Sequence, residues 1–161
     1  GNEKNVNLNT ISATINTNNA QKERMLKKIL KLMGNEVEGK KIAVLGLSFK
    51  PNTDDIRESP AQFLISNLIN LKAQINSYDP IANSNFKELY PDINYFENWK
   101  DCVSGADACI IMTEWNEFRG IDLDELKLLL KTPILLDAKN IFSIEKLKSL
   151  EFKYDNVGRN F

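Results

Sequence analysis

Three short, continuous apolar runs, each followed by a stretch with helical spacing, constrain the fold of this chain more than any other feature. Lys41 to Leu47 (KIAVLGL), Ala108 to Met112 (ACIIM) and Pro133 to Asp137 (PILLD) leave no polar face for solvent. Short uninterrupted runs of this kind read as strands buried on both faces. Gln74 to Tyr78 (QINSY), ended by Asp79-Pro80, reads as the second strand of the series, with a short strand near Asn94 to Phe96 and an extended segment over Lys153 to Val157. Between them, Ser59 to Leu71 has a capping serine, a proline at the first helical position, and Phe63, Leu64, Leu68 and Leu71 at helical spacing. Asn98 to Ser104, Asp122 to Lys131 and Ser143 to Leu150 are further helical segments, and a polar stretch carries Phe86, Leu89 and Tyr90. Strands alternating with helices predict right-handed crossovers and a Rossmann-like α/β domain, a parallel sheet with helices on both faces.

A leading helix is predicted over Ile11 to Met33, where Ile11, Ile15, Met25, Leu26, Ile29, Leu30 and Met33 punctuate a stretch without Gly or Pro. Its first half holds Asn16, Thr17, Asn18 and Asn19, poor helix formers that need support from outside. Gly34 is the expected stop. The chain opens Gly-Asn-Glu without an initiator Met, and residues 1–10 are expected to be disordered or tag-derived.

The 161 residues suffice for one domain, and 42% hydrophobic with 27% charged residues is a globular composition. With 21 Lys and Arg against 22 Asp and Glu, the net charge of -1 gives no field to draw the protein onto nucleic acid. No run reaches the roughly 20 apolar residues of a membrane helix. Two cysteines, Cys102 and Cys109, make no disulfide framework and no metal-ligand pattern, so a cytoplasmic setting with buried structural thiols is expected. The absence of His removes the commonest general base and zinc ligand.

In an open parallel sheet, ligands bind beyond the carboxyl ends of the strands. Gly46-Leu47-Ser48-Phe49-Lys50 stands where a dinucleotide-binding strand carries three spaced glycines, and only Gly46 is present. Binding of NAD in the ordinary Rossmann manner is therefore not expected. The segment FKPNTDDIRESP holds Lys50 and Arg57 among Asp54, Asp55 and Glu58. Its composition fits a phosphate grip, and it also fits a solvated loop closed by ion pairs. TEWNEFR, from Thr113, is expected to expose Trp115 and Phe118, to stack on a base or to support a neighbouring loop. Lys139, after Asp137, is one more cation on the rim or a free surface lysine.

At these residues the sequence resembles the UDP-glucose/GDP-mannose dehydrogenase family. GLSFKPNTDDIRESPA is similar to the signature of its carboxyl-terminal, UDP-binding domain, and the likeness continues through SYDP, TEWNEF, DAKN and Gly158-Arg159, over about residues 35–161. NNAQKERMLKKI, from Asn18, resembles the end of the long central helix that joins the two domains of these enzymes. The resemblance implies residues 11–34 as an interdomain and dimerisation helix and residues 35–161 as a UDP-sugar-binding domain. It implies Phe49, Lys50 and Lys139 as substrate-binding residues and Arg57 as a contact to NAD across the domain cleft. Lys139 stands where the family usually has Arg, in a motif with Gly at the position of Ala138, and a lysine cannot reproduce a bidentate grip.

By the same resemblance the whole enzyme would be a homodimer that oxidises the C6 alcohol of UDP-glucose twice, with two NAD, through a thiohemiacetal and a thioester on a cysteine. That cysteine and the main NAD site would belong to a domain outside this chain, which alone is expected to be inactive and to contain no catalytic or metal-binding residue. Family members acting on UDP-N-acetylmannosamine or GDP-mannose share much of the loop, and TEWNEF leans toward UDP-glucose. A free-standing nucleotide-sugar binding module and a purely dimerising domain are the readings from other classes.

Overall fold

The structure is a computed structural model that describes residues 9–159, with side chains from residue 20 onward. The expectation for residues 1–10 lies outside these residues, except that the first helix, α1, already spans Asn9–Leu32. It is followed by β1 (Lys41–Leu45), α2 (Pro60–Asn70), β2 (Gln74–Tyr78), α3 (Asn83–Leu89), β3 (Asn94–Tyr95) and α4 (Trp99–Val103). Then come β4 (Ala108–Ile111), α5 (Asn116–Arg119), α6 (Leu123–Leu129), β5 (Ile134–Asp137), α7 (Ile144–Ser149) and β6 (Lys153–Asn156).

All six strands are parallel, in the order β3-β2-β1-β4-β5-β6. This is the strand order of the doubly wound dinucleotide fold, and it reverses direction between β1 and β4. The continuous apolar runs are explained by the two-period of a strand covered on both sides. Ile42 and Val44 of β1 face one core with α1, α2 and α3, while Ala43 and Leu45 face a second core with α4, α5, α6 and α7. The predicted architecture is thus present. The strands are shorter than their apolar runs for local reasons. Pro133 has no N–H to offer at the start of β5, and β1 stops at Leu45 because the Leu47 amide turns to a side chain, Asp79.

The polar stretch around Phe86 is itself a helix, α3, whose Phe86 ring is buried and stacks on Tyr90 with centroids 4.9 Å apart. Ser59 caps α2 by accepting from the Ala61 amide at 3.3 Å, with Pro60 at the first helical position as the sequence requires. The second half of α1 lies on the domain itself. Met25, Ile29 and Leu32 belong to its core, and Lys28 forms an ion pair with Asp155 of β6. Among the described residues no helix is long and apolar enough to cross a membrane.

Candidate functional site at the strand ends

The reversal between β1 and β4 opens the carboxyl edge of the sheet, and the chain leaving β1 does not turn straight into a helix there. Residues 46–59 separate β1 from α2. Gly46 adopts φ +94°, and a Cβ at this position would stand 2.6 Å from both the backbone N and the Cβ of Thr113 beyond β4. Only glycine permits that approach. The Gly46 amide donates to the Tyr78 carbonyl at 2.8 Å, and the Thr113 hydroxyl donates to the Ser48 carbonyl at 2.7 Å. The ends of β1, β2 and β4 are thereby stitched together.

Asp79 completes the seam. Its Oδ2 accepts from the Leu47 amide (2.8 Å), the Ser48 amide (3.0 Å), the Ser48 hydroxyl (3.0 Å) and the Trp115 indole (3.2 Å). Its Oδ1 accepts from the amides of Ile81 (3.0 Å) and Ala82 (2.9 Å). With Thr113 packed against Gly46 and the first loop amides already engaged, this edge does not fit the pyrophosphate of a dinucleotide held in the Rossmann manner. The sequence reading missed Asp79 as a site residue. The available signal was an acid directly after a strand, followed by a proline.

Past this seam the chain swings outward. Phe49 is 50% exposed, and Lys50 is exposed and has no ion-pair partner within 4 Å among the described residues. The loop closes on itself where the Phe49 amide donates to the Asp55 carbonyl at 2.8 Å, and Asn85 of α3 donates to the Asp54 carbonyl at 3.1 Å. Arg57 is tied within the loop. Its Nε and Nη2 donate to the two oxygens of Asp55 at 2.9 and 2.8 Å, and its amide adds a third bond at 3.0 Å. That grip holds the Asp55 carboxyl down at about 2 and raises the pKa of Arg57. Of the two readings left open for this segment, the loop closed by ion pairs describes Arg57, while Lys50 stays outside that pairing.

Trp115 and Phe118 are buried, which corrects the expectation that the loop exposes them. The cause is α5, a single helical turn that folds TEWNEFR back onto the sheet. Phe118 meets Tyr78 edge-on at 6.0 Å, and the Tyr78 hydroxyl donates to Glu117 at 3.0 and 3.1 Å. Burial, followed by the Glu117 contact, raises the pKa of Tyr78. These aromatics support the neighbouring loop and offer no stacking face.

Lys139 reaches the same edge but is engaged. Its ammonium lies 3.0 Å from the Glu114 carboxylate, with the two side chains 28% and 31% exposed. Burial works against the charge of Glu114, yet the bond from Lys139 prevails and its pKa falls. Behind Lys139, Asp137 is buried and accepts from the amides of Lys139 (3.0 Å) and Phe142 (3.1 Å), and burial raises its pKa. A cavity of about 170 Å³ lies beside it, between Met25 of α1, Pro60 of α2, Met112 and Lys139. Because β4 separates β1 from β5, the roots of the Lys50 and Lys139 loops lie about 10 Å apart, two inter-strand spacings. Cys102 and Cys109 are buried, and burial pushes both thiols up, away from nucleophilic use.

Residues 43–144 match the UDP binding domain of the UDP-glucose/GDP-mannose dehydrogenase family. The chain belongs to this family. It is 39% identical over 149 residues to the UDP-glucose 6-dehydrogenase of Rhizobium meliloti (strain 1021), covering 92% of this chain and 34% of that protein. Against the UDP-glucose 6-dehydrogenase TuaD of Bacillus subtilis (strain 168) it is 38% identical over 150 residues, 92% of this chain and 32% of the relative. It therefore spans about a third of the length of the relatives it matches. Among solved structures, a UDP-glucose dehydrogenase from Pyrobaculum islandicum shares the fold at a TM-score of 0.74 and 24% identity, over 89% of this chain and 31% of that one. A UDP-D-ManNAc dehydrogenase from Pyrococcus horikoshii matches at 0.68 and 26%, over 87% and 30%.

Proposed function

We propose that this chain is the UDP-gripping part of an NAD-dependent UDP-glucose 6-dehydrogenase, in which Lys50 neutralises the diphosphate and Phe49 covers the nucleoside or sugar. The observation that carries this reading is the Phe49-Lys50 pair, exposed at the reversal point of the sheet on a loop whose Arg57 is paired with Asp55, with Lys50 in no ion pair among the described residues. Naming of the relatives as UDP-glucose 6-dehydrogenases supports the sugar and oxidation at its C6, and the reading takes that oxidation in two steps to UDP-glucuronate.

On this reading the reacting cysteine and the main NAD site belong to a partner domain. Arg57, whose side chain is 87% exposed, faces that domain to contact NAD, and Lys139 lends a weaker, shared charge to the substrate. The central helix, of which α1 is the end, mediates a homodimer of the whole enzyme, which works in the cytoplasm without nucleic acid or membrane. Calorimetric titration of UDP into the 161-residue chain tests the grip, with saturable binding expected and GDP bound more weakly. An absence of UDP binding overturns the reading. NADH formation from UDP-glucose by this chain above a blank overturns the assignment of catalysis to a partner domain.

A further inference from the structure

Asp79 is a buried carboxylate, 1% exposed, with no ion-pair partner among the described residues. A charge in that position survives only where hydrogen bonds replace its water, and six donors surround it here. Their origin is informative. Leu47 and Ser48 are consecutive amides in the first turn after β1, the pair that in a dinucleotide domain of this strand order points at the ligand's pyrophosphate. In this chain both point at Asp79 from the end of β2, and the Ser48 hydroxyl and the Trp115 indole converge on the same oxygen. The second oxygen is held by Ile81 and Ala82, so the carboxylate is locked against rotation.

We propose that Asp79 is an internal anion that fills the backbone anion site of the reversal point and thereby hands phosphate recognition to the side chains of the following loop, Lys50 first. The site is occupied from within, so a dinucleotide is rejected there by filled hydrogen bonds in addition to the packing of Thr113 against Gly46. By fixing Leu47 and Ser48, the same contacts set the direction in which Phe49 and Lys50 leave the sheet. Asp79 is therefore a positioning and specificity residue that touches no ligand. The inference rests on the UDP reading above for the identity of the phosphate, and on the hydrogen bonds alone for the anion.

Two measurements on the full 161-residue chain test it. In the wild type, hydrogen exchange followed by NMR is expected to find the Leu47 and Ser48 amides protected without ligand and altered by less than about twofold at saturating UDP. A slowing of either by about tenfold or more on binding means that the ligand receives them, and the proposal falls. Asp79→Ala is expected to bind UDP roughly tenfold more weakly, with sodium formate, a carboxylate of the removed size, restoring affinity and raising the melting temperature. Formate should do neither for the wild type or for Asp79→Leu, which fills the space without an acceptor. Unchanged UDP affinity in Asp79→Ala, or indifference to formate, overturns the proposal, and if that variant does not fold even with formate, the wild-type exchange rates decide. A wild type that binds no UDP defeats the functional reading, while the formate-dependent melting of Asp79→Ala still judges this one.

Discussion

The loops that follow β1 and β5 each bring one lysine to the same edge of the sheet, and they treat it in opposite ways. After β1, the Asp55 carboxylate is taken by Arg57 and that of Glu58 lies 3.9 Å from Lys22 of α1, and Lys50 is left exposed beside a half-exposed phenylalanine. After β5, Lys139 lies across the gap to Glu114 and its side chain is only 28% exposed. A count of cations in a sequence segment therefore does not measure its capacity to bind phosphate. What matters is which carboxylate reaches each cation first, and that is decided by the strand neighbours, β4 in the case of Lys139.

The sharpest way to break this comparison is at the mounting of the β1 loop. Gly46→Ala puts a Cβ 2.6 Å from Thr113 at a φ of +94°, and we expect about 2–5 kcal/mol less stability in denaturant melts. Ala138→Gly, at the matching place after β5, should cost only about 0.5–1 kcal/mol. Equal losses would mean that the two loops are mounted with the same slack.

Next in size is the unengaged lysine. Lys50→Ala removes a charge-assisted bond to phosphate and should weaken UDP by about ten- to a hundredfold in calorimetry. Lys139→Ala is expected to weaken it by no more than about threefold, because its charge is already answered by Glu114. A loss at Lys139 as large as that at Lys50 would erase the distinction.

Glu114→Gln sharpens it from the other side. Releasing Lys139 should tighten UDP by about two- to threefold, at a stability cost below about 1 kcal/mol, since both side chains are only partly shielded from solvent. The folded pKa of Glu114 lies below its ordinary 4.5, so the pair's contribution is complete above 4.5 and fades as pH falls through the folded value. Melting curves of the wild type and Glu114→Gln should therefore converge under acid conditions and separate toward neutrality. The smallest effect belongs to Arg57→Ala, for which UDP affinity in this chain should stay within about twofold of the wild type, the guanidinium being held by Asp55.

Most of the sheet is legible in the sequence because burial on both faces removes the ambiguity of alternating patterns. KIAVL, ACII and ILLD can be little else than central strands. QINSY is less apolar, but it stands one crossover after KIAVL and ends in Asp-Pro. The helices α3 and α5 are hidden for a physical reason, since each buries one residue, Phe86 and Phe118, and a single buried position shows no spacing. In the site, Phe49, Lys50 and Arg57 could be found because they share one loop. The partners of Asp79 and Lys139 could not, since Leu47 is 32 positions away from the former and Glu114 comes from the loop after β4, a different strand from the one that carries the latter. Pairings of this kind are set by strand order, which a linear reading supplies only after the fold is known.

The packing of α1 bears on where this domain ends as an independent unit. Gly34, with its polar surroundings, looks like a natural place to cut. Yet Met25, Ile29 and Leu32 lie in the same core as Val44 and Leu136, and each such side chain contributes roughly 1.5–3 kcal/mol when buried. A protein trimmed to begin at Asn35 would present an apolar trough along α2, β5 and β6, and would aggregate or melt early. The last turns of the helix are a wall of the sheet domain, so a cut at Gly34 would run through its core.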